Sequence, residues 1–166
     1  MITLPPGYSI RHTTEADHLT VVEAIGRWWE TPNREMLGLL MPRLFFQFFT
    51  KTSWIVENGS GEIGAFLIGF RSQDDPDVSY VHFVGVDPYL RRAGLARELY
   101  LQFFETMKKR GCTEVRAITG SFNARSQAFH ASLGFEAHGD REIDGVLAYP
   151  DYDGPGEPRV AFTRSL

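Results

Sequence analysis

Cysteine is nearly absent from this chain: among 166 residues only Cys112 carries a thiol. One cysteine cannot form an intrachain disulfide, and it offers no Cys-based zinc cluster. His12, His18 and His138 show no ligand spacing to one another or to Cys112, so no metal is expected. An excess of positive charge is also lacking. Lys and Arg number 17 against 21 Asp and Glu, a net charge of −4, which disfavours a broad basic face and hence nucleic acid as a partner. No run of ~18 apolar residues occurs, so no transmembrane helix and no membrane partner are expected. The start, Met1-Ile2-Thr3-Leu4-Pro5-Pro6, lacks the basic-then-apolar order of a secretory leader. Repeats and low-complexity tracts are missing. What remains is 43% apolar residues, 13 of them Phe, enough for a packed core. At ~150 residues per domain the expectation is one cytoplasmic domain spanning 1–166.

Apolar spacing then orders the chain. Thr14 with Asp17 forms a short capping box. Leu19, Val22, Ile25 and Trp29 recur at helical spacing after it. Thr31-Pro32-Asn33 breaks that helix, and Asn33 can cap a second one carrying Met36, Leu37, Leu40, Leu44, Phe45 and Phe48, which Pro42 should kink or split. Strands are expected over Trp54 to Glu57 and Ile63 to Phe70, joined by the hairpin signal Asn58-Gly59-Ser60-Gly61. A loop from Ser72 to Asp77 leads to a strand over Val78 to Val86. From Arg92 to Arg110 the pattern is helical, with Leu95, Leu99, Phe103 and Met107 on one stripe, and Gly111 stops it. A strand at Glu114 to Thr119, a helix at Ala124 to Leu133 and a strand at Phe135 to His138 follow. After a Gly/Pro-rich loop over 149–158 comes a last strand near Val160 to Thr163. Alternating helices and strands indicate an α/β layer architecture.

The informative stretch is Val84-Gly85-Val86-Asp87-Pro88-Tyr89-Leu90-Arg91-Arg92-Ala93-Gly94-Leu95-Ala96. A strand enters a turn and the turn opens a long helix. A helix start presents N–H groups without intrahelical partners and a partial charge of about +0.5. The small residues Ala93, Gly94 and Ala96 let a phosphate approach those groups, and Arg91 or Arg92 can add a charge-assisted contact. The plainer alternative is a strand-to-helix turn whose small residues only permit close packing. Neither G-x-G-x-x-G nor G-x-x-x-x-G-K-[ST] is present.

Arg91-Arg92-Ala93-Gly94-Leu95-Ala96 resembles the R/Q-x-x-G-x-G/A signature of the GNAT superfamily of acyl-CoA-dependent N-acyltransferases. A second block, Asn123-Ala124-Arg125-Ser126-Gln127-Ala128-Phe129-His130-Ala131-Ser132-Leu133-Gly134-Phe135, is similar to that family's later segment of Asn, short helix and Leu-Gly-Phe. The core motifs cover 78–135. The resemblance implies a central mixed, mostly antiparallel sheet, splayed at its middle strands and flanked by helices. It implies acetyl-CoA as cosubstrate, its diphosphate held by amides from Arg92, Ala93, Gly94, Leu95 and Ala96 with Arg91 nearby. The pantetheine arm would lie along Val84 and Val86, pairing as an added strand would. Asn123 would contact the cofactor arm and Phe129 would wall it. Ala96 stands where the family often has Gly.

The reaction so implied is direct attack of a primary amine on a thioester. An alkylammonium, with a pKa of roughly 10, must first lose a proton, and histidine, near 6.5, suits that task. Strand alternation puts Val78, Tyr80, His82, Val84 and Val86 on one face if no bulge intervenes. His82 aligns with a histidine that arylalkylamine acetyltransferases use as base, through water, and Tyr80 falls where some members carry Glu. A buried histidine bonded to a carbonyl is the plainer reading of His82. His130 replaces the tyrosine usually assigned to protonate the CoA sulfur. It can act as an imidazolium donor, be dispensable because the thiolate leaves readily, or simply pack beneath the cofactor.

Residues 14–49 are expected on the acceptor side, where Trp28-Trp29-Glu30 and the Phe-rich Leu44 to Phe49 either line a pocket or fill the core. The acceptor would be a small molecule or a peptide amine. GNAT proteins frequently pair, so a homodimer through Trp28 or the final strand is a further expectation. A non-catalytic acyl-CoA sensor is the alternative to an enzyme.

Overall fold

A strand that the sequence pattern does not announce begins the structure. β1 (Tyr8–His12) pairs antiparallel with β2 (Trp54–Asn58), Tyr8 opposite Asn58 and His12 opposite Trp54. Arg11 on β1 explains its stability. Its guanidinium donates to both Asp17 oxygens (2.8 and 2.9 Å) and both Glu57 oxygens (2.9 and 2.8 Å). The structure, a computed structural model, describes residues 3–30 and 34–166. Hydrogen-bonded strands follow the order β1-β2-β3-β4-β5-β9-β6, and β7 and β8 form a separate pair. The sheet is mixed, and helices flank it.

Two compact units divide the chain. The first holds the described residues up to Phe70 together with Val81–Thr106. Here the Asp17 carboxylate accepts from the Thr14 N–H (2.6 Å) and hydroxyl (3.0 Å), and a 3-10 turn leads into α1 (His18–Trp28). The buried stripe of α1 is Val21, Ala24, Ile25 and Trp28, whereas Leu19 is 61% exposed. The expected stripe is thus rotated on the helix, sharing only Ile25. The break expected at Thr31-Pro32-Asn33 lies outside the described residues. Pro42 does split the next helix, into α2 (Arg34–Leu39) and α3 (Leu44–Phe48). Phe46, Ile55, Phe66 and Ile68 complete the core around α1. The expected hairpin joins β2 to β3 (Ile63–Arg71), with Asn58 Oδ1 accepting from the Ser60 and Glu62 amides (2.9 and 3.0 Å).

β4 (Val78–Val86) follows the 72–77 loop. The Ser72 amide bonds Val78 O (2.9 Å) at the loop end and the Asp87 amide bonds Gly64 O (2.8 Å) at the other. These pairs differ in register by one residue, so the hairpin carries a bulge. The aromatic rings locate it. Phe66 and Phe70 share one face of β3 by alternation. Phe83 packs on Phe66 (5.8 Å), while His82 stacks on Phe45, which itself packs on Phe70. His82 and Phe83 are neighbours in sequence, yet both face the helices α1 and α3. The expected single face of Val78, Tyr80, His82, Val84 and Val86 therefore breaks at His82. Past the bulge, Gly85 meets that helical side so closely that a Cβ would lie 2.6 Å from the Phe66 ring and 2.9 Å from Trp29.

The second unit holds Arg71–Tyr80 and Met107–Leu166. The first residues of β4 pair in parallel with β5 (Glu114–Gly120): Val78 with Glu114, Ser79 with Val115 and Tyr80 with Arg116. β5 pairs antiparallel with β9 (Arg159–Ser165), which also takes β6 (Glu136–His138). α5 (Ala124–Ser132) precedes β6. The short strands β7 (Arg141–Ile143) and β8 (Val146–Ala148) turn through Asp144 (φ 54°) and Gly145 (φ 79°), both central residues left-handed as a tight hairpin requires. Among the described residues, no helix is long and apolar enough to cross a membrane.

Candidate functional site

The strand-to-helix junction is more elaborate than its sequence suggests. Asp87 ends β4 and its Oδ1 accepts from the Tyr89 amide (2.9 Å). With Pro88 supplying a fixed φ, this cap opens a 3-10 helix over Pro88–Ala93. Gly94 then reverses the chain in the left-handed region, φ +76°, before α4 (Leu95–Lys109) begins. The long helix therefore starts at Leu95 rather than Arg92. Glu98 makes the first bond back along α4, to Gly94 O at 3.1 Å, so the amides of Leu95, Ala96 and Arg97 face out along the axis, as at any helix start.

Arg91, Arg92, Ala93 and Gly94 are exposed, Ala96 is half-buried and Leu95 is buried. Nothing lies within 4 Å of where a Gly94 Cβ would be. A side chain at Gly94 would therefore enter open space, and the amides of a helix start that follow it are the kind of group an anion occupies. Arg91 also has a partner within the fold. Its Nη2 donates to Trp28 O (2.9 Å), at the carboxyl end of α1. Val84 and Val86, half-buried, lead into this junction from β4.

His82 lies on the same unit. Its Nε2 donates to the Leu40 carbonyl (2.5 Å), and its ring stacks on Phe45 with centroids 4.2 Å apart and planes 14° off parallel. The plainer expectation, a histidine bonded to a carbonyl, thus describes its Nε2. Neither Leu40 O nor Phe45 was indicated as its partner by the sequence. Forty-two positions separate Leu40 from His82, and no local spacing reports such a contact.

The second unit holds Tyr80, Asn123, Phe129 and His130. Burial pushes the Tyr80 phenol well above the ordinary tyrosine range, Tyr152 and Asp153 add to the effect, and Arg159 opposes it. Asp153 is itself paired with Arg159 at 2.8 Å. Asn123 caps α5, its Oδ1 accepting from the Ser126 amide (3.0 Å). Phe129 is half-buried, its ring 5.7 Å from that of His130 and nearly perpendicular to it. His130 is only 4% exposed. It lies flat on Phe162 (4.5 Å, 4°), and Nδ1 donates to Ser126 O (2.8 Å). Burial lowers its pKa, partly offset by that hydrogen bond.

The acceptor-side expectation divides. Trp28 is core, at 5% exposure, which removes it as a dimer face. Trp29 is half-buried with its edge on Phe83 (5.5 Å), and Glu30 is exposed. On α3, Phe46 is buried but Phe48 is 75% exposed.

A family model described as "Acetyltransferase (GNAT) family" matches residues 22–135. An L-2,4-diaminobutyric acid acetyltransferase of Streptomyces coelicolor is 30% identical over 156 residues, covering 89% of this chain and 90% of that protein. Among solved structures, Ard1 of Thermoplasma volcanium superposes with a TM-score of 0.74 at 16% identity, over 96% of this chain and 98% of that one. The diaminobutyrate acetyltransferase of Paenibacillus lautus, solved with its substrate and coenzyme A, gives a TM-score of 0.60 at 20% identity over 93% of each chain.

Proposed function

This chain belongs to the GNAT acetyltransferase family, an N-acetyltransferase using acetyl-CoA, and on that premise we propose that its acceptor is a small primary amine of amino-acid type. L-2,4-diaminobutyric acid is the first candidate, on the likeness to the Streptomyces coelicolor enzyme across most of both chains. The observation that carries the cofactor reading is the junction at Gly94: a left-handed turn whose glycine faces open space and leads into the first amides of α4. The diphosphate of acetyl-CoA would rest on the amides of Leu95 and Ala96 and the turn Arg92–Gly94, where helix partial charge favours an anion. Val84 and Val86 would flank the pantetheine arm. On the other unit, Asn123 shapes the start of α5.

In the reaction the amine lone pair forms a C–N bond to the acetyl carbonyl carbon. The C–S bond breaks, its electrons leaving on sulfur, and the nitrogen sheds a proton. Only about one alkylamine in a thousand is neutral at pH 7, so a base must accept protons near the acceptor. On this reading the base is His82, directly or through one water. Since Nε2 carries the proton given to Leu40 O, the accepting atom is Nδ1. Tyr80, kept as the neutral phenol, serves as a hydrogen-bond donor rather than a base. The leaving thiolate, with a reference pKa near 8.5, needs little protonation to depart, which suits a His130 that burial keeps neutral.

Turnover tests this. With acetyl-CoA and a panel of amines, free thiol should appear, fastest with L-2,4-diaminobutyric acid, and His82→Ala should lower kcat by roughly a hundredfold at unchanged acetyl-CoA affinity. Wild-type kcat in that variant would remove His82 as base. Thiol release favouring a peptide amine over the diamino acid would overturn the acceptor.

A further inference from the structure

A helix leaves its last carbonyls without intrahelical donors, and α2 stops just short of Pro42, which has no N–H to offer. Two consecutive carbonyls at that end are each met by a histidine from elsewhere in the fold. Met41 O accepts from His18 Nε2 (2.9 Å), and Leu40 O accepts from His82 Nε2. Phe45, at the start of α3, then lies nearly parallel on the His82 ring. Phe45 is itself fixed by Phe49 (5.5 Å) and Phe70 (6.4 Å). The β4 bulge is what turns His82 toward this link.

Resting on the reading of His82 as base, we propose that the Leu40 carbonyl and the Phe45 ring are positioning groups that hold His82 as the Nε2–H tautomer, making Nδ1 the atom that takes the acceptor's proton. A carbonyl only accepts, so a bond to it requires the proton on Nε2. A neutral imidazole protonated there has its basic lone pair on Nδ1 alone. An acceptor on the far N–H also raises the basicity of the ring and steadies the imidazolium once formed. The parallel stack restricts the ring to one tilt, so the hydrogen bond and the lone pair keep a fixed direction. A leucine at 45 would fill the space without holding the plane.

Two measurements test the assignment. Long-range proton–nitrogen NMR of the wild-type protein with coenzyme A should show His82 protonated on Nε2 and unprotonated on Nδ1; the opposite tautomer overturns the proposal. In kinetics, Phe45→Leu should lower kcat roughly tenfold, leave the KM for acetyl-CoA unchanged, and move the kinetic pKa of the base downward. Phe45→Tyr, which keeps the ring, should restore both kcat and pH profile. A folded Phe45→Leu protein with the wild-type profile refutes the positioning role, and if that variant does not fold, the NMR result decides. His82→Gln separates the two layers. Wild-type kcat in His82→Gln removes the base reading itself, whereas loss there with no effect of Phe45→Leu removes only the positioning.

Discussion

At position 130 the family resemblance leads one to expect a tyrosine, and this chain supplies a histidine whose surroundings differ from those of a proton donor. The ring lies flat on Phe162, and its Nδ1–H is spent on Ser126 O one turn back on α5. Burial makes the imidazolium costly, so the neutral form prevails where acetyl transfer would be assayed. A neutral imidazole is a weak acid, and on this reading the residue contributes packing. His130→Phe keeps the stacked ring and deletes the proton. Its kcat, followed by thiol release at pH 7.5, should stay within about threefold of wild type, far from the 10²–10⁴-fold that general acid catalysis is worth. A hundredfold loss in a folded His130→Phe protein would restore the donor role. Tyr80 differs in kind: burial raises its pKa, so its hydroxyl keeps its proton near neutral pH.

Among the elements, legibility followed the strength of local patterns. α4 was readable because Leu95, Leu99, Phe103 and Met107 are a narrow stripe, and all four are buried. α1 is apolar over a wide arc, and spacing alone cannot choose between the stripe through Leu19 and the one through Val21. Packing against the sheet selects the second, with Ala24 fully buried. β7 and β8, three residues each, are too short for any period to register, and β1 is held by pairing with β2 and by the Arg11 contact to Glu57, 46 positions away. The β4 bulge is tertiary too, since aromatic packing on α3 draws His82 to the side that alternation reserves for Phe83. At the cofactor junction the motif was visible but its geometry was not, because a glycine can open a helix or terminate one. Gly94 does both, ending the 3-10 turn and leading into α4. Two substitutions separate its roles. Gly94→Ala places a Cβ in open space but forces a left-handed alanine, costing about 1–2 kcal/mol, so the melting temperature should fall while the rise produced by coenzyme A survives. Gly94→Glu adds negative charge where the diphosphate would sit, and the coenzyme A-induced rise should vanish. An undiminished rise in Gly94→Glu would dismiss the cradle.

For the molecule as a whole, two groups on separate units make stability fall in steps as the solution is acidified. His130 has a folded pKa below its unfolded value near 6.5. The unfolded chain therefore binds the extra proton first, and stability is full above about pH 6.5 and declines as pH falls toward the folded value. Asp17 acts lower on the scale. Burial would raise its pKa, but hydrogen bonds from Arg11 and Thr14 outweigh that and hold the carboxyl below the usual range. Its contribution is complete above the unfolded value near 4 and is lost as pH drops through the folded one. The urea midpoint should thus be level from pH 8 to 7, slope downward below pH 6.5, and fall again below pH 4. Each slope has its own eraser. His130→Phe should flatten the upper one. Asp17→Asn should cost about 1–3 kcal/mol at pH 7, since it takes away one of the two carboxylates that hold Arg11, and should converge on wild type as pH falls below 4. A wild-type midpoint independent of pH between 7 and 5 would mean that His130 protonates as readily in the folded chain as in the unfolded one, which its burial between Phe162 and α5 does not permit.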